Sequence, residues 1–375
     1  MENKNVLYVR SGPYKVNINN YNLQEIGFSK QLCNKGFNCD ILYYSNKNYD
    51  ECIYECNGKK VTILWRKGIK ILRSGIYPQI LNKSYLSRYD FIIATEYSQI
   101  MTVLLSLISP NVIIYNGPYY NLFKLKFCEK IYDRLFVKIL NKNSRMIFTK
   151  SILAKNYLIK KGFENIKVLG VGLDETNFQN EISLNKNTKD LIKFMKKNKC
   201  ILYVGSLDKR KNFDFIIRVF EKVNYINPSV NLIVIGNGNK KYVDYSFNQV
   251  NSKVRKKIIH IKSVNNKCLK YIYSNSNLFL LPSKYEIFGM VLLEAMYFGV
   301  PVITSENGGS TTLINNHNNG VILNSFDELL WVNEIKKILN NNELAKYYSR
   351  NAKETIINNF TWKNIVKKLL IDIEE

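Results

Sequence analysis

Two glutamates carry the strongest chemical signal in the chain, Glu286 and Glu294 within PSKYEIFGMVLLEAMYFGVPVITSENGG. Glu286 falls on a loop after the apolar strand LFLLPS, and Glu294 on a helix opening near Phe288 and Gly289. A helix rises about 1.5 Å per residue, which sets Glu294 about 7 to 9 Å along it. The backbone amides of Ile287 through Val291, Met290 among them, would face an anion at the positive helix end. The two carboxylates therefore bracket a diphosphate-sized gap, one able to reach sugar hydroxyls and the other ribose hydroxyls. A second loop, GSLDKRKN from Gly205 to Asn212, lies between a strand and a helix. Gly205 permits a close turn, while Lys209, Arg210 and Lys211 set cations beside a helix N-terminus, a combination suited to a diphosphate. Basic loops are common, and a lone glutamate is usually a solvated helix face. The weight rests on the glutamate pair within one strand–loop–helix unit.

Other reactive groups add little. His260, in the apolar strand IIHIK, reads as structural, and His317, in the turn NNHNNG, as solvated. The seven cysteines are odd in number and scattered, which fits reduced thiols rather than a disulfide framework. Cys52 and Cys56 lie four apart with no second pair or histidine cluster, so no metal site is expected. No Asp-x-Asp pair follows a strand, consistent with cations and a helix end standing in for a metal.

These residues need a scaffold. With 375 residues, 46% of them hydrophobic, two domains with separate cores are expected. No run of about 18 apolar residues occurs, and MENKNVLYVRSG lacks a secretory core, which predicts a cytoplasmic protein. Apolar strands alternate with helical patterns: NVLYVR, CDILYY, FIIATE, VIIYNG and RMIFTK in the first half, then CILYVGSL, NLIVIGNG, KKIIHIK, LFLLPS, PVITS and VIL. The economical reading is an α/β chain with two Rossmann-like, doubly wound parallel sheets in tandem. The expected division is 1–178, 179–361 and a final helix, 362–375, that crosses back to the first domain.

The formal charge of +25 calls for an anionic partner or a solvated surface. From Asn57 to Tyr89 there are Lys59, Lys60, Arg66, Lys67, Lys70, Arg73, Lys83 and Arg88 with no acid. Lys130, Arg134, Lys138 and Lys142 recur every fourth position beside Ile131, Leu135, Ile139 and Leu140, an amphipathic helix with one basic face. A solvated surface and an anionic membrane surface remain equal readings of this pattern. Nucleic acid is not an expected partner, because no nucleic-acid-binding signature accompanies the charge.

The chain resembles the retaining glycosyltransferases of family four, the glycosyl transferases group 1. The resemblance runs through GFSKQLCNKGFNCDILYY, FTKSILAKNYLIKKG, KVLGVGLDETNF, ILYVGSLDKRKN, NLIVIGNG, the Glu286 to Gly309 block and NGVIL. It implies the GT-B fold, two Rossmann-like domains facing a cleft, the first for the acceptor and the second for a nucleotide sugar. It implies that Glu286 binds donor sugar hydroxyls, Glu294 the ribose, Lys211 the diphosphate, the Phe288–Gly289–Met290–Val291 backbone the phosphates, and Val264 the base. Glu286 and Lys211 would be the catalytic pair. The sequence departs from the family at four places. Ser206 replaces the Arg that usually follows the phosphate-loop glycine, leaving Arg210 or Lys209 to compensate. Asn19 and Asn20 replace a double glycine, Glu96 or Asn116 stands near the place of an acceptor-side histidine, and Thr312 replaces the Glu of GGxxE. The resemblance further implies retention without a metal or other cofactor, the leaving diphosphate taking the acceptor's proton. The donor would be a UDP-sugar, or else a GDP-sugar, and the acceptor a glycan or lipid-linked sugar; the enzyme would be a hexosyltransferase or an N-acetylhexosaminyltransferase. The Asn, Lys and Ile bias suggests an AT-rich bacterial genome, with surface polysaccharide or glycolipid assembly as the context, in the cytoplasm or peripheral on the inner face of the plasma membrane. A catalytically silent partner of another transferase is the alternative. A sugar-nucleotide epimerase fits less well, since the two histidines are poorly placed for it.

Overall fold

Strands rich in Val, Ile, Leu and aromatic residues, buried on both faces, build two sheets in the computed structural model, which describes residues 4–18, 23–123, 125–179 and 181–374. They belong to two units, Met1–Gly172 with Trp362–Glu375, and Leu173–Thr361. The first unit ends at Gly172 rather than at residue 178.

In the first unit the strands lie in the order Ile166–Val168, Met146–Thr149, Val112–Asn116, Phe91–Thr95, Lys4–Val9, Phe37–Ser45, Lys59–Lys67 and Tyr49–Cys56. All pair in parallel except the last, which runs antiparallel to Lys59–Lys67. The strand order reverses at Lys4–Val9, between Phe37–Ser45 and Phe91–Thr95, so the loops after Val9 and Thr95 flank the crevice where such sheets hold ligands. Leu7, Val9, Ile92 and Ala94 point to one face and pack with Tyr77, Met101 and Leu105.

The hairpin Tyr49–Cys56/Lys59–Lys67 was not expected. Charged residues interrupt its apolar alternation, and its cations read as a basic run. A local signal was present: Asn57 and Gly58 both have positive φ (50° and 73°), the mark of a type I′ turn favoured by Asn-Gly. Its cations are also answered, Lys60 by Glu55 and Arg66 by Asp50, while Arg73 pairs with Glu96 at 3.2 Å. Three of the eight cations from Asn57 to Tyr89 thus have acidic partners.

The last helix, Trp362–Glu374, packs on the helix Gln24–Asn34 of the same unit. Gly27 sits where any Cβ would strike the Trp362 indole, and Phe28 meets that ring edge-on at 5.5 Å. Asp372 fastens the far end through Lys167 at 2.7 Å.

The second unit holds six parallel strands in the order Ile258–Ile261, Asn231–Ile235, Cys200–Val204, Leu278–Leu281, Val302–Ser305 and Val321–Leu323. Taken by chain position this is 3-2-1-4-5-6, the dinucleotide-fold order, with its reversal between Cys200–Val204 and Leu278–Leu281. Its core joins Phe213, Phe215 and Phe220 of the helix Phe213–Ile226 to Trp331 and Ile335 of Glu328–Asn340.

Removing the Trp362 ring tests the closing contact, since the residue is 3% exposed. Trp362→Ala should lower unfolding free energy by about 3–5 kcal/mol in a urea titration, whereas Lys363→Ala, at an exposed neighbour, should leave it unchanged.

Candidate functional site

The reversal of strand order in the second unit decides which loops meet. Residues after Val204 and after Leu281 leave adjacent parallel strands at the same edge, bringing GSLDKRKN beside PSKYEIFG. Three contacts lace them together. Lys284 N donates to the Arg210 carbonyl at 2.8 Å, an Arg210 guanidinium N–H donates to the Tyr285 carbonyl at 3.0 Å, and Lys211 Nζ donates to Glu286 Oε2. Arg210 also lies 3.7 Å from Glu286 Oε2. The Lys211 and Glu286 side chains are only 10% and 14% exposed, so this ion pair is poorly screened by water.

Asp208, not singled out above, organises the first loop. Its Oδ1 accepts the Lys211 N–H at 2.7 Å and its Oδ2 the Ser206 hydroxyl at 2.7 Å. Burial disfavours the Asp208 charge. The hydrogen bonds from Ser206 and Lys211, with the charges of Arg210 and Lys211, outweigh that and hold the carboxyl below its ordinary range. An Asp closing a turn onto a backbone N–H three residues on, just before a helix, was the available signal. Ser206 thus gives its hydroxyl proton to the loop, and Lys209 is exposed. Asn212 takes left-handed geometry (φ 56°) to start the helix Phe213–Ile226, a conformation asparagine tolerates.

Glu286 is held from a third side. Gly308 N donates to the Glu286 carbonyl at 3.0 Å. A Cβ on Gly308 would land on the Ile287 carbonyl oxygen, and one on Gly309 on that of Phe288, so ENGG must carry both glycines to come this close. Beneath them Asn307 is fully buried, accepting from Ser310 N at 3.0 Å and donating to the Ser305 carbonyl at 2.8 Å. Thr312, in place of the family's Glu, donates to the Gly308 carbonyl at 2.9 Å.

Gly289, with φ 78°, caps the helix Met290–Tyr297 and also lies against the Glu286 side chain. Any Cβ there would meet both a strained backbone and Glu286 Cγ at 3.1 Å. The first-turn amides at Met290 and Val291 carry the helix's partial positive charge beside the Lys211–Glu286 pair. Phe288 is buried and anchors the turn. Glu294, one turn further, is 1% exposed, and its Oε2 accepts the Tyr273 hydroxyl at 3.1 Å. Val264 lies part-exposed in the loop after Ile258–Ile261. His260 has one ring nitrogen 3.0 Å from the Gly236 carbonyl and packs on Phe247, while His317 is exposed. Among the described residues no cluster of three or more His, Cys, Asp or Glu is placed to hold a metal.

The residues assigned to the acceptor belong to the first unit. Asn19 and Asn20 lie outside the described residues. Glu96 follows Phe91–Thr95 at the strand-order reversal and holds φ 64°, unusual for a glutamate, with Arg73 at 3.2 Å and Gln99 Nε2 at 3.1 Å on its Oε2. Asn116 is fully buried, and its amide serves the backbone: Oδ1 accepts from Tyr97 N at 3.3 Å and Nδ2 donates to the Pro118 carbonyl at 2.9 Å. It shapes that edge from within.

Residues 184–355, which contain every residue expected on the donor side, match the profile of Glycosyl transferases group 1. The match lies within the second unit and spans somewhat under half of the chain. Curated proteins similar to the chain include an uncharacterized glycosyltransferase of Methanocaldococcus jannaschii, 29% identical over 210 residues, covering 55% of this chain and 53% of that protein. Another is the capsular polysaccharide biosynthesis glycosyltransferase CapM of Staphylococcus aureus, 28% identical over 227 residues, covering 60% and 57%. The chain thus spans about half the length of the curated relatives it matches. Similar solved structures include sucrose-phosphate synthase from Thermosynechococcus elongatus (TM-score 0.71, 15% identity, 99% of this chain and 98% of that one). HepE of Anabaena in complex with UDP is a further one (0.72, 14%, 99% of each). These structural likenesses, which cover nearly the whole chain, establish the fold as GT-B.

Asp208→Asn separates charge from shape in the loop GSLDKRKN. A carboxyl held below its unfolded value adds stability that is complete above about pH 5 and is lost as pH falls through the folded value. In urea titrations the native chain should therefore exceed the Asp208→Asn variant in stability at neutral pH. That gap should narrow progressively below about pH 4.

Proposed function

We propose that the chain transfers a sugar, with retention of anomeric configuration and without a metal, from a nucleoside diphosphate sugar to a glycan or lipid-linked acceptor. The observation that carries this is the convergence of Lys211, Arg210 and the amino end of Met290–Tyr297 on Glu286. Two cations and a helix terminus at one point stabilise the charge that grows on a departing diphosphate, the role a metal fills elsewhere. Glu286, fixed by three contacts, accepts hydrogen bonds from sugar hydroxyls and aligns the anomeric carbon. Glu294 takes the ribose from beneath, with Tyr273 steering its carboxylate, and Val264 contacts the base through its backbone. Ser206 contributes through Asp208 and Lys211 rather than by its own proton. Lys209 adds long-range attraction for the anion.

As the glycosidic C–O bond breaks, its electron pair leaves with the diphosphate. The acceptor oxygen bonds the same face of the anomeric carbon, and its proton passes to the diphosphate oxygen. The products are the glycosylated acceptor and a nucleoside diphosphate. A UDP-sugar is the favoured donor, since HepE of Anabaena, alike in fold, is seen with UDP-glucose. CapM's part in capsular polysaccharide biosynthesis supports a cell-surface glycan as the product. On the first unit, Glu96 is the acceptor-side contact, its strained backbone held by Arg73, Gln99 and the turn around it; Asn116 acts only by shaping the edge.

The test is incubation of the purified chain with a panel of sugar nucleotides and glycan acceptors. Mass spectrometry follows nucleoside diphosphate release, and NMR of the product reads the anomeric configuration. Glu286→Ala should cut turnover by about two to three orders of magnitude, with an unchanged circular dichroism spectrum. Equal turnover in that variant would remove Glu286 from the site. Activity should persist in excess EDTA; loss restored by magnesium or manganese would overturn the metal-free reading.

A further inference from the structure

The helix Lys126–Asn143 in the first unit presents an unusual outer face. Tyr132, Val137 and Leu140 turn inward to the core, with Phe136 and Ile139 partly buried beside them. At about 100° per residue, Phe127, Ile131 and Leu135 fall within an arc of about 80° on the opposite side. They are 58%, 53% and 56% exposed, and Leu125, just before the helix, is 54% exposed. A surface helix ordinarily keeps polar groups there. Lys130, Arg134, Lys138 and Lys142 interleave with this stripe and are all exposed.

The helix's own acids do not answer those cations. Glu129 and Asp133 are drawn sideways to Lys161, which lies 2.8 and 2.6 Å from their oxygens with its side chain 11% exposed. Tyr157 also donates to Glu129, and Tyr97 to Asp133 at 3.2 Å. The outward arc is left apolar and cationic, without an acid. Elsewhere in the unit the basic residues Lys60, Arg66 and Arg73 do have acidic partners.

We propose that this face docks the first unit reversibly on an anionic lipid bilayer. Phe127, Ile131 and Leu135 enter the boundary between headgroups and acyl chains, and the four cations reach outward to phosphate. Charge chooses this occupant over a second copy of the chain. Self-association would set the same cations against one another in a molecule of net charge +25. The contact has two parts: an electrostatic one that salt screens, and an apolar one that survives it.

Vesicle sedimentation with the full chain tests this, comparing phosphatidylcholine alone with phosphatidylcholine containing phosphatidylglycerol, from about 0.1 M to about 1 M salt. The native chain should bind the anionic vesicles at least about tenfold more tightly, because each cation near such a surface contributes about fivefold. Replacing Lys130, Arg134, Lys138 and Lys142 together by Gln should weaken low-salt binding by nearly three orders of magnitude, about fivefold for each of the four cations. Phe127→Ser with Ile131→Ser and Leu135→Ser should abolish the part that persists at high salt. Phe127→Trp should add emission that brominated lipid quenches, a readout that does not depend on how either multiple variant folds. The proposal is overturned by equal binding to neutral and anionic vesicles, by no binding to either, by indifference to both sets of substitutions, or by unquenched Phe127→Trp emission. A lipid-free dimer in light scattering that the serine substitutions dissolve would likewise overturn it, assigning the face to self-association.

Discussion

A lysine and a glutamate from different loops, nearly shut off from water, meet at the reversal of strand order in the second sheet, and much of that unit is arranged to let them. Bringing two charges out of water is costly, and their attraction repays it only when position is tightly held and the remaining polar atoms are satisfied. The surroundings supply both. Asp208 fixes the lysine's backbone, Gly308 fixes the glutamate's, and Arg210 ties one loop to the other. The Gly308 brace runs backbone to backbone, which explains the two glycines of ENGG, where a methyl group would collide with a carbonyl oxygen. Asn307 and its buried hydrogen bonds then tie the end of the strand Val302–Ser305 to the turn at Ser310.

The two units differ in how they use the same sheet. In the second, strand-end loops converge on a charged pair whose partners are side chains. In the first, the corresponding edge is shaped chiefly by backbone: Asn116 is absorbed into the turn, and Glu96 is held in a conformation that few residues other than glycine or asparagine adopt readily. A site that must meet one chemically constant group can be built from fixed charges. The residues matching the group 1 profile lie in the second unit and stop short of the first unit's edge.

That contrast accounts for what could be read from the amino-acid string. The 286–309 block was legible because phosphate chemistry needs cations, glycines and a helix start at tight spacing, and those leave a dense local pattern. The parallel strands were legible because burial on both faces makes them continuously apolar. The hairpin at residues 49–67 was not read, since an edge strand carries charges that hide its alternation, although Asn57-Gly58 announced the turn. Asp208 escaped because its role is a backbone contact, invisible to a search for ligands. Ser206 was read as standing in the place of an Arg on the phosphate loop, yet its hydroxyl proton goes to Asp208, two residues along the chain. The direction of Ile131 and Leu135 could not be settled from periodicity, because cations and aliphatics share their face and only packing against neighbouring elements decides which side is inside.

The Trp362 contact with Gly27 has a consequence for synthesis. The first unit to leave the ribosome is also the last to be finished, because its closing helix is encoded some two hundred residues after the rest of it. Throughout translation of the second unit, the first must persist with Phe28 and the notch at Gly27 uncovered, a period in which a chaperone or a neighbouring nascent chain has access to that surface.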